Sequence, residues 1–191
     1  MTKYLKIMKN KFLIILFFVA TFCNAQQIYS LRPAESSLPE GSYQKDTNNE
    51  LPEYEGTWKG TWDNKTVFVT FKKLTNQYDT DLKYYKDYLI GKFKVIDGNG
   101  SVLFDNSTIT DASAKIMGHS FRRYNDRYLL SYIDYDLCNT NANIAIKFAD
   151  SSKTQLIWKL TYGSNMITIE CPYYNTQTPE ALPKDIVLTK Q

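Results

Sequence analysis

The sequence predicts an all-β fold, an antiparallel meander of about eight to ten short strands closing into a barrel. Three observations carry that expectation. From Glu55 onward, stretches rich in β-branched and aromatic residues alternate with turn signals at hairpin spacing. Each stretch has one clean apolar face, on the period of two that a half-buried strand requires. Helical periodicity is nearly absent. The best helical segment, residues 78–89, sets Leu82, Tyr85 and Leu89 three and four apart, but Asp81 breaks the stripe upstream of Tyr85. It is read as a short helix or a turn.

Residues 1–25 form the first element. Lys3, Lys6, Lys9 and Lys11 precede an apolar run beginning at Phe12, and Cys23-Asn24-Ala25 offers a small-residue terminus before Gln26, the pattern of a cleaved signal peptide. Met8, just before Lys9, would start a shorter signal of the same kind. The run from Phe12 to Phe22 is about half of the roughly 20 residues a membrane-spanning helix needs. Bulky Phe22 before Cys23 argues against lipid attachment there. Cleavage takes four lysines and no acidic side chain away, turning the formal charge of +3 into −1. The basic pI of about 8.6 thus belongs to the signal, and nothing in the mature charge favours nucleic acid or an anionic membrane.

Residues 26–54 are rich in Gln, Ser, Pro, Asn and Glu without an apolar period, and read as an extended, loosely held leader to a barrel domain of 55–191. The expected strands are 55–62, 65–73, 87–96, 101–105, 107–111, 127–135, 142–149, 155–162, 165–171 and 185–189. Asp63-Asn64, Asp97-Gly98-Asn99-Gly100 and Gly163-Ser164-Asn165 supply hairpin turns. Parity then identifies an interior. Gly56, Trp58, Gly60 and Trp62 share one face of the first strand, opposite Thr57, Lys59 and Thr61. Leu89, Gly91, Phe93 and Val95 share another, as do Ile144, Ile146 and Phe148, and Leu156, Trp158, Leu160 and Tyr162. Inward glycines such as Gly60 and Gly91 favour the bending that closes a sheet.

The segment Gly56-Thr57-Trp58-Lys59-Gly60-Thr61-Trp62 resembles the opening strand of lipocalin-like barrels, whose Gly-x-Trp tryptophan closes one barrel end. More specifically, over about residues 45–190 the chain is similar to a family of small secreted bacterial proteins of unknown function. These share the doubled Gly-Thr-Trp start, a Leu-Ile-Gly-Lys strand, here residues 89–92, and a late Trp strand, here Leu156-Ile157-Trp158. The resemblance implies a lipocalin-like barrel and no established chemistry. One departure stands out: lipocalins pair that tryptophan with a late arginine, whereas Arg32, Arg122, Arg123 and Arg127 all lie early or mid-chain.

Cys23 leaves with the signal, so Cys138 and Cys171 remain as an even pair in an oxidising compartment, read as a disulfide with two separate buried thiols as the alternative. Neither has the neighbouring Cys or His of a metal site. His119 is the only histidine, and Ser120 beside it would point to the opposite strand face, which defeats a base–nucleophile pair. Asp134 and Asp136, with Asp126 nearby, lack the loop spacing of a Ca²⁺ site and read as a strand end. Phosphate loops, Cys-x-x-Cys, His-Glu-x-x-His and Gly-x-Ser-x-Gly are missing from the sequence.

The aromatic excess, 15 Tyr, 10 Phe and 3 Trp, serves either sheet packing or a platform for sugars or planar ligands; Tyr84, Tyr85 and Tyr88 cluster, and Tyr128 and Tyr132 share a strand face. The functional expectation is an exported, non-enzymatic binding module without cofactor or metal. A small apolar or amphipathic ligand would enter a barrel lined by Trp62, Phe93, Tyr132, Phe148 and Trp158. If those side chains fill the barrel, the alternative is an envelope or surface protein that presents its exterior to another macromolecule, with an enzyme as the third reading.

Overall fold

The computed structural model describes residues 25–32, 37–122, 124–165 and 167–191. The signal-peptide reading thus lies, Ala25 apart, outside the described residues. One sheet holds β1 (Ile28–Ser30), β2 (Tyr43–Lys45), β3 (Gly56–Trp62), β4 (Lys65–Asp79), β5 (Tyr84–Asp97), β6 (Val102–Asp105), β7 (Ile116–Phe121), β8 (Tyr128–Asp134), β9 (Thr140–Phe148), β10 (Gln155–Tyr162) and β11 (Asp185–Lys190). Eight of these close an antiparallel barrel in the order β3-β4-β5-β7-β8-β9-β10-β11, with β11 returning to β3. Asp63 and Asn64, both at positive φ, make the tight β3–β4 turn that Asp-Asn signals.

The barrel closes at a narrow seam. β5 shares one edge among three partners: β2 at Tyr85 and Lys86, β7 at Ile90 and Gly91, and β6 from Lys94 to Ile96. Gly91 permits the close approach, since a Cβ there would lie 3.0 Å from Ile116 Cβ. Beyond the paired residues the hydroxyl of Tyr128 enters the gap and accepts the Leu89 N–H at 3.2 Å. The inward faces pack a single cluster around Trp58, Phe71, Phe93, Tyr128, Tyr132 and Trp158.

In its described residues the leader is held against the barrel rather than loosely attached. β1 and β2 add to β5 as parallel strands, and Leu31, Leu51 and Tyr54 are buried in the main cluster. A buried polar clamp fixes it further. Asp87 accepts from Tyr43 Oη (2.6 Å) and from the N–H groups of Asp46 (3.0 Å) and Asn76 (2.9 Å). Asp46 accepts from the N–H groups of Glu50 and Leu51 and pairs with Lys73 Nζ at 2.8 Å. Tyr43 and Asp46 are the leader side chains that make this clamp.

Trp58 is wholly buried and donates its indole N–H to the Tyr54 carbonyl at 2.7 Å. Lys190, its partner in register on the last barrel strand, sets Nζ 5.2 Å from the Trp58 ring and donates to the Glu53 carbonyl. A late cation thus lies over this tryptophan, and it is a lysine rather than an arginine.

Two strand assignments are corrected, and one open segment is resolved. Of the two readings of residues 78–89, a short helix or a turn, the turn is present at residues 80–83: Tyr78 pairs across to Tyr85 and Asp79 to Tyr84, so the tyrosines belong to the β4–β5 hairpin. Residues 107–111 are not a strand but a turn leading to a 3-10 helix at Asp111–Ser113, while β7, unpredicted, comes next at Ile116–Phe121. Its Gly118, His119 and Ser120 dilute the strand signal. Residues 165–171, where described, are loop, because both edges of β10 are already taken by β9 and β11. Cys171 sits there bonded to Cys138, with Cα atoms 5.6 Å apart, tying the long β10–β11 connection to the β8–β9 turn.

Candidate binding surface

The five residues expected to line a barrel pocket occupy two settings. Phe93, Tyr132 and Trp158 are 1%, 0% and 0% exposed. Phe93 meets Tyr132 edge-on at 5.8 Å, and the Trp158 indole donates to the Pro183 carbonyl at 2.9 Å. Trp62 and Phe148 are half-buried against the cluster, Phe148 stacked on Tyr54 at 4.3 Å. The surfaces of Phe93, Tyr132 and Trp158 are thus taken up by the rest of the core cluster. Phe148 borders a surface groove of the described residues, where the leader meets the barrel end.

The polar groups singled out in the sequence are engaged structurally. Asp134 accepts from Lys115 Nζ (2.6 Å), Tyr132 Oη (2.8 Å) and the Asp136 N–H, and so caps the 3-10 turn Tyr135–Leu137. Burial, reinforced by the Asp134 charge, pushes the Tyr132 phenol far above its usual range. Asp136 shares the same lysine at 2.7 Å, and Asp126 pairs with Arg32 at 2.7 Å. No group of three metal-ligating side chains occurs among the described residues. His119 stands exposed at a bulge in β7, and partial desolvation together with the Lys86 ammonium holds it below the ordinary imidazole value.

Two grooves on the outer wall share one residue. The first, about 520 Å³, lies between the 109–115 segment and the outward faces of β7 and β8, lined by Ile109, Lys115, Met117, Ser131, Ile133 and Tyr135 among others. The second, about 220 Å³, is formed by the start of the β4–β5 hairpin around Tyr78, Asp79, Lys86 and Tyr88, and again reaches Met117. Met117, Ile133 and Tyr135 are 37%, 42% and 77% exposed. A third groove, about 550 Å³, opens where the leader meets the barrel end, but its Arg32, Glu50, Glu53, Asp126 and Lys153 are tied to one another in ion pairs.

Met117, Ile133 and Tyr135 are not among the residues that the sequence marks for binding. A signal for them exists in β8. Tyr128, Leu130 and Tyr132 face inward, yet Ile133, on the opposite parity, is also apolar and exposed, a departure from one-sided alternation.

Fold and surface together define a closed antiparallel β-barrel with a side-chain-filled core, a strapped leader and two adjoining grooves on its wall, the larger of them mainly apolar. The chain belongs to a family of unknown function (DUF6705), whose sequence model covers residues 8–191. No curated protein and no solved structure matches it.

Proposed function

We propose that the protein is an exported, non-enzymatic binding module that works through its outer wall. The filled interior carries this reading: the largest inward side chains, Trp58, Trp158, Tyr128, Tyr132, Phe71 and Phe93, are all buried against one another. Export is supported by the Cys138–Cys171 bond, a linkage that persists in oxidising compartments. Among the described residues no helix is long and apolar enough to cross a membrane. Against an enzyme stand the lone exposed imidazole and carboxylates committed to lysines and backbone amides.

The test is a native mass spectrum beside a denatured one, on protein recovered from an oxidising compartment. The outer-wall reading expects the bare mass under both conditions. Extra mass lost on denaturation that matches a small apolar or amphipathic molecule would overturn it in favour of a ligand within the barrel.

A further inference from the structure

The outer-wall reading leaves the chemistry of the partner open, and the two joined grooves narrow it. Through Met117 they form one band running across β4, β5, β7 and β8. Three inter-strand steps of about 4.8 Å give it a length of roughly 14 Å, suited to an extended chain rather than a compact molecule.

Charge is the first constraint. The ionisable groups lining the band are already paired within it: Lys86 with Asp79 at 2.8 Å, and Lys115 with Asp136 at 2.7 Å. An acidic or basic polymer would have to break these pairs and gains nothing from the remainder. Surface chemistry is the second. Tyr78, Tyr88 and Tyr135 line the band together with neutral hydrogen-bonding groups, Gln77, Ser113 and Ser131, and the apolar Met117 and Ile133; Tyr135 is the most exposed of the rings, while Tyr78 also packs on Tyr85 and Tyr88 lies beside Lys86. Aromatic faces accept apolar C–H surface while hydroxyl and amide groups orient a polar rim. A pyranose offers that combination, with C–H faces above and below and hydroxyls at the edge.

Resting on the outer-wall reading, we infer that this band binds an extended, uncharged glycan chain. Lipid would favour an unbroken apolar surface, and the ion pairs at both ends of the band interrupt one. The tyrosine cluster at 84–88 thus contributes through Tyr88, while Tyr128 and Tyr132 serve the core.

The test is affinity electrophoresis of the full, disulfide-bonded protein through gels containing laminarin, xyloglucan, galactomannan, dextran or hydroxyethylcellulose, with alginate as the charged comparison. The expected result is retardation by at least one neutral polysaccharide and not by alginate. Tyr88→Ala and Tyr135→Ala should each weaken binding about fivefold or more. Tyr174→Ala, an exposed tyrosine that lines neither groove, should leave it unchanged. Tyr135 is largely exposed, so its variant keeps the test valid if Tyr88→Ala fails to fold. Lack of retardation in every neutral gel, equal retention by alginate, or insensitivity to both tyrosine substitutions overturns the inference. So does a concentration-dependent dimer that Ile133→Glu abolishes, which would assign the band to a second copy. A bare native mass combined with any of these sinks the glycan and leaves the outer-wall reading standing.

Discussion

Adding one methyl group at Gly118 should damage the barrel more than any comparable change on its surface. The Cβ of an alanine there would lie 2.7 Å from the Tyr128 ring and 2.9 Å from the Leu89 carbonyl oxygen. Neither neighbour can yield cheaply. Leu89 is backbone of β5, and Tyr128 is wholly buried with its hydroxyl accepting the Leu89 N–H across the seam. Overpacking of this kind costs about 1–3 kcal/mol, and displacing the hydroxyl adds the desolvation of a buried N–H, again about 1–3 kcal/mol. Gly118→Ala should therefore destabilise by about 3 kcal/mol, a drop of roughly 6–12 °C in Tm for a chain of this size. Urea unfolding followed by tryptophan fluorescence measures it. Adding Tyr128→Phe removes the nearest atom, so the double variant should be less destabilised than the sum of the two singles. A Gly118→Ala effect below about 0.5 kcal/mol, or strict additivity with Tyr128→Phe, would refute the tight packing of the seam.

Three other perturbations have expected outcomes. Replacing Cys138 and Cys171 by serine frees a loop spanning 33 residues and should cost about 3–4 kcal/mol, read as a lower urea midpoint that reductant reproduces in the natural protein. Asp87→Asn puts an amide against two backbone N–H groups and the Tyr43 hydroxyl, and should cost about 2–4 kcal/mol while raising amide exchange at β1 and β2. Alkaline pH should destabilise the fold. Burial raises the Tyr162 phenol from 10.0 to about 12 and pushes Tyr54, Tyr128 and Tyr132 higher still. Between pH 10 and the folded value the unfolded chain binds fewer protons than the native one, so stability falls as pH rises. Each such tyrosine contributes up to about 1.4 kcal/mol per pH unit, and spectrophotometric titration should show a phenolate fraction appearing only with unfolding.

Much of the barrel is legible from alternation alone, because a strand with one wet face writes its environment into every second residue. Trp58 and Gly60, Phe93 and Val95, Ile144 and Ile146, and Leu156 and Trp158 all point where their parity predicts. The rule fails where something other than a neighbouring strand decides the conformation. Ile167, Ile169 and Cys171 alternate perfectly, yet Ile169 is exposed in a loop, because the edge it would need belongs to β11 and the disulfide holds Cys171 elsewhere. β7 departs in the opposite sense. It is a strand by closure, its Gly118 left bare so that a tyrosine from the next strand can fill the seam, and a run of Gly-His-Ser carries no local sign of that.

The proposed binding surface is harder to see for a related reason. Interior position marks a ligand-binding aromatic only when a barrel has more volume than its inward side chains can fill. Here an eight-stranded barrel spends two tryptophans, two tyrosines and three phenylalanines from its own strands on its interior, and the proposed recognition falls to the outward parity. Ile133 and Met117 pack no core and cap no turn, whereas the outward positions of β3 are Thr57, Lys59 and Thr61, as solvent dictates. Exposed apolar residues of this kind are where the proposed binding module would register a partner, and the contrast between β3 and β8 favours a partner on the β7–β8 side of the barrel.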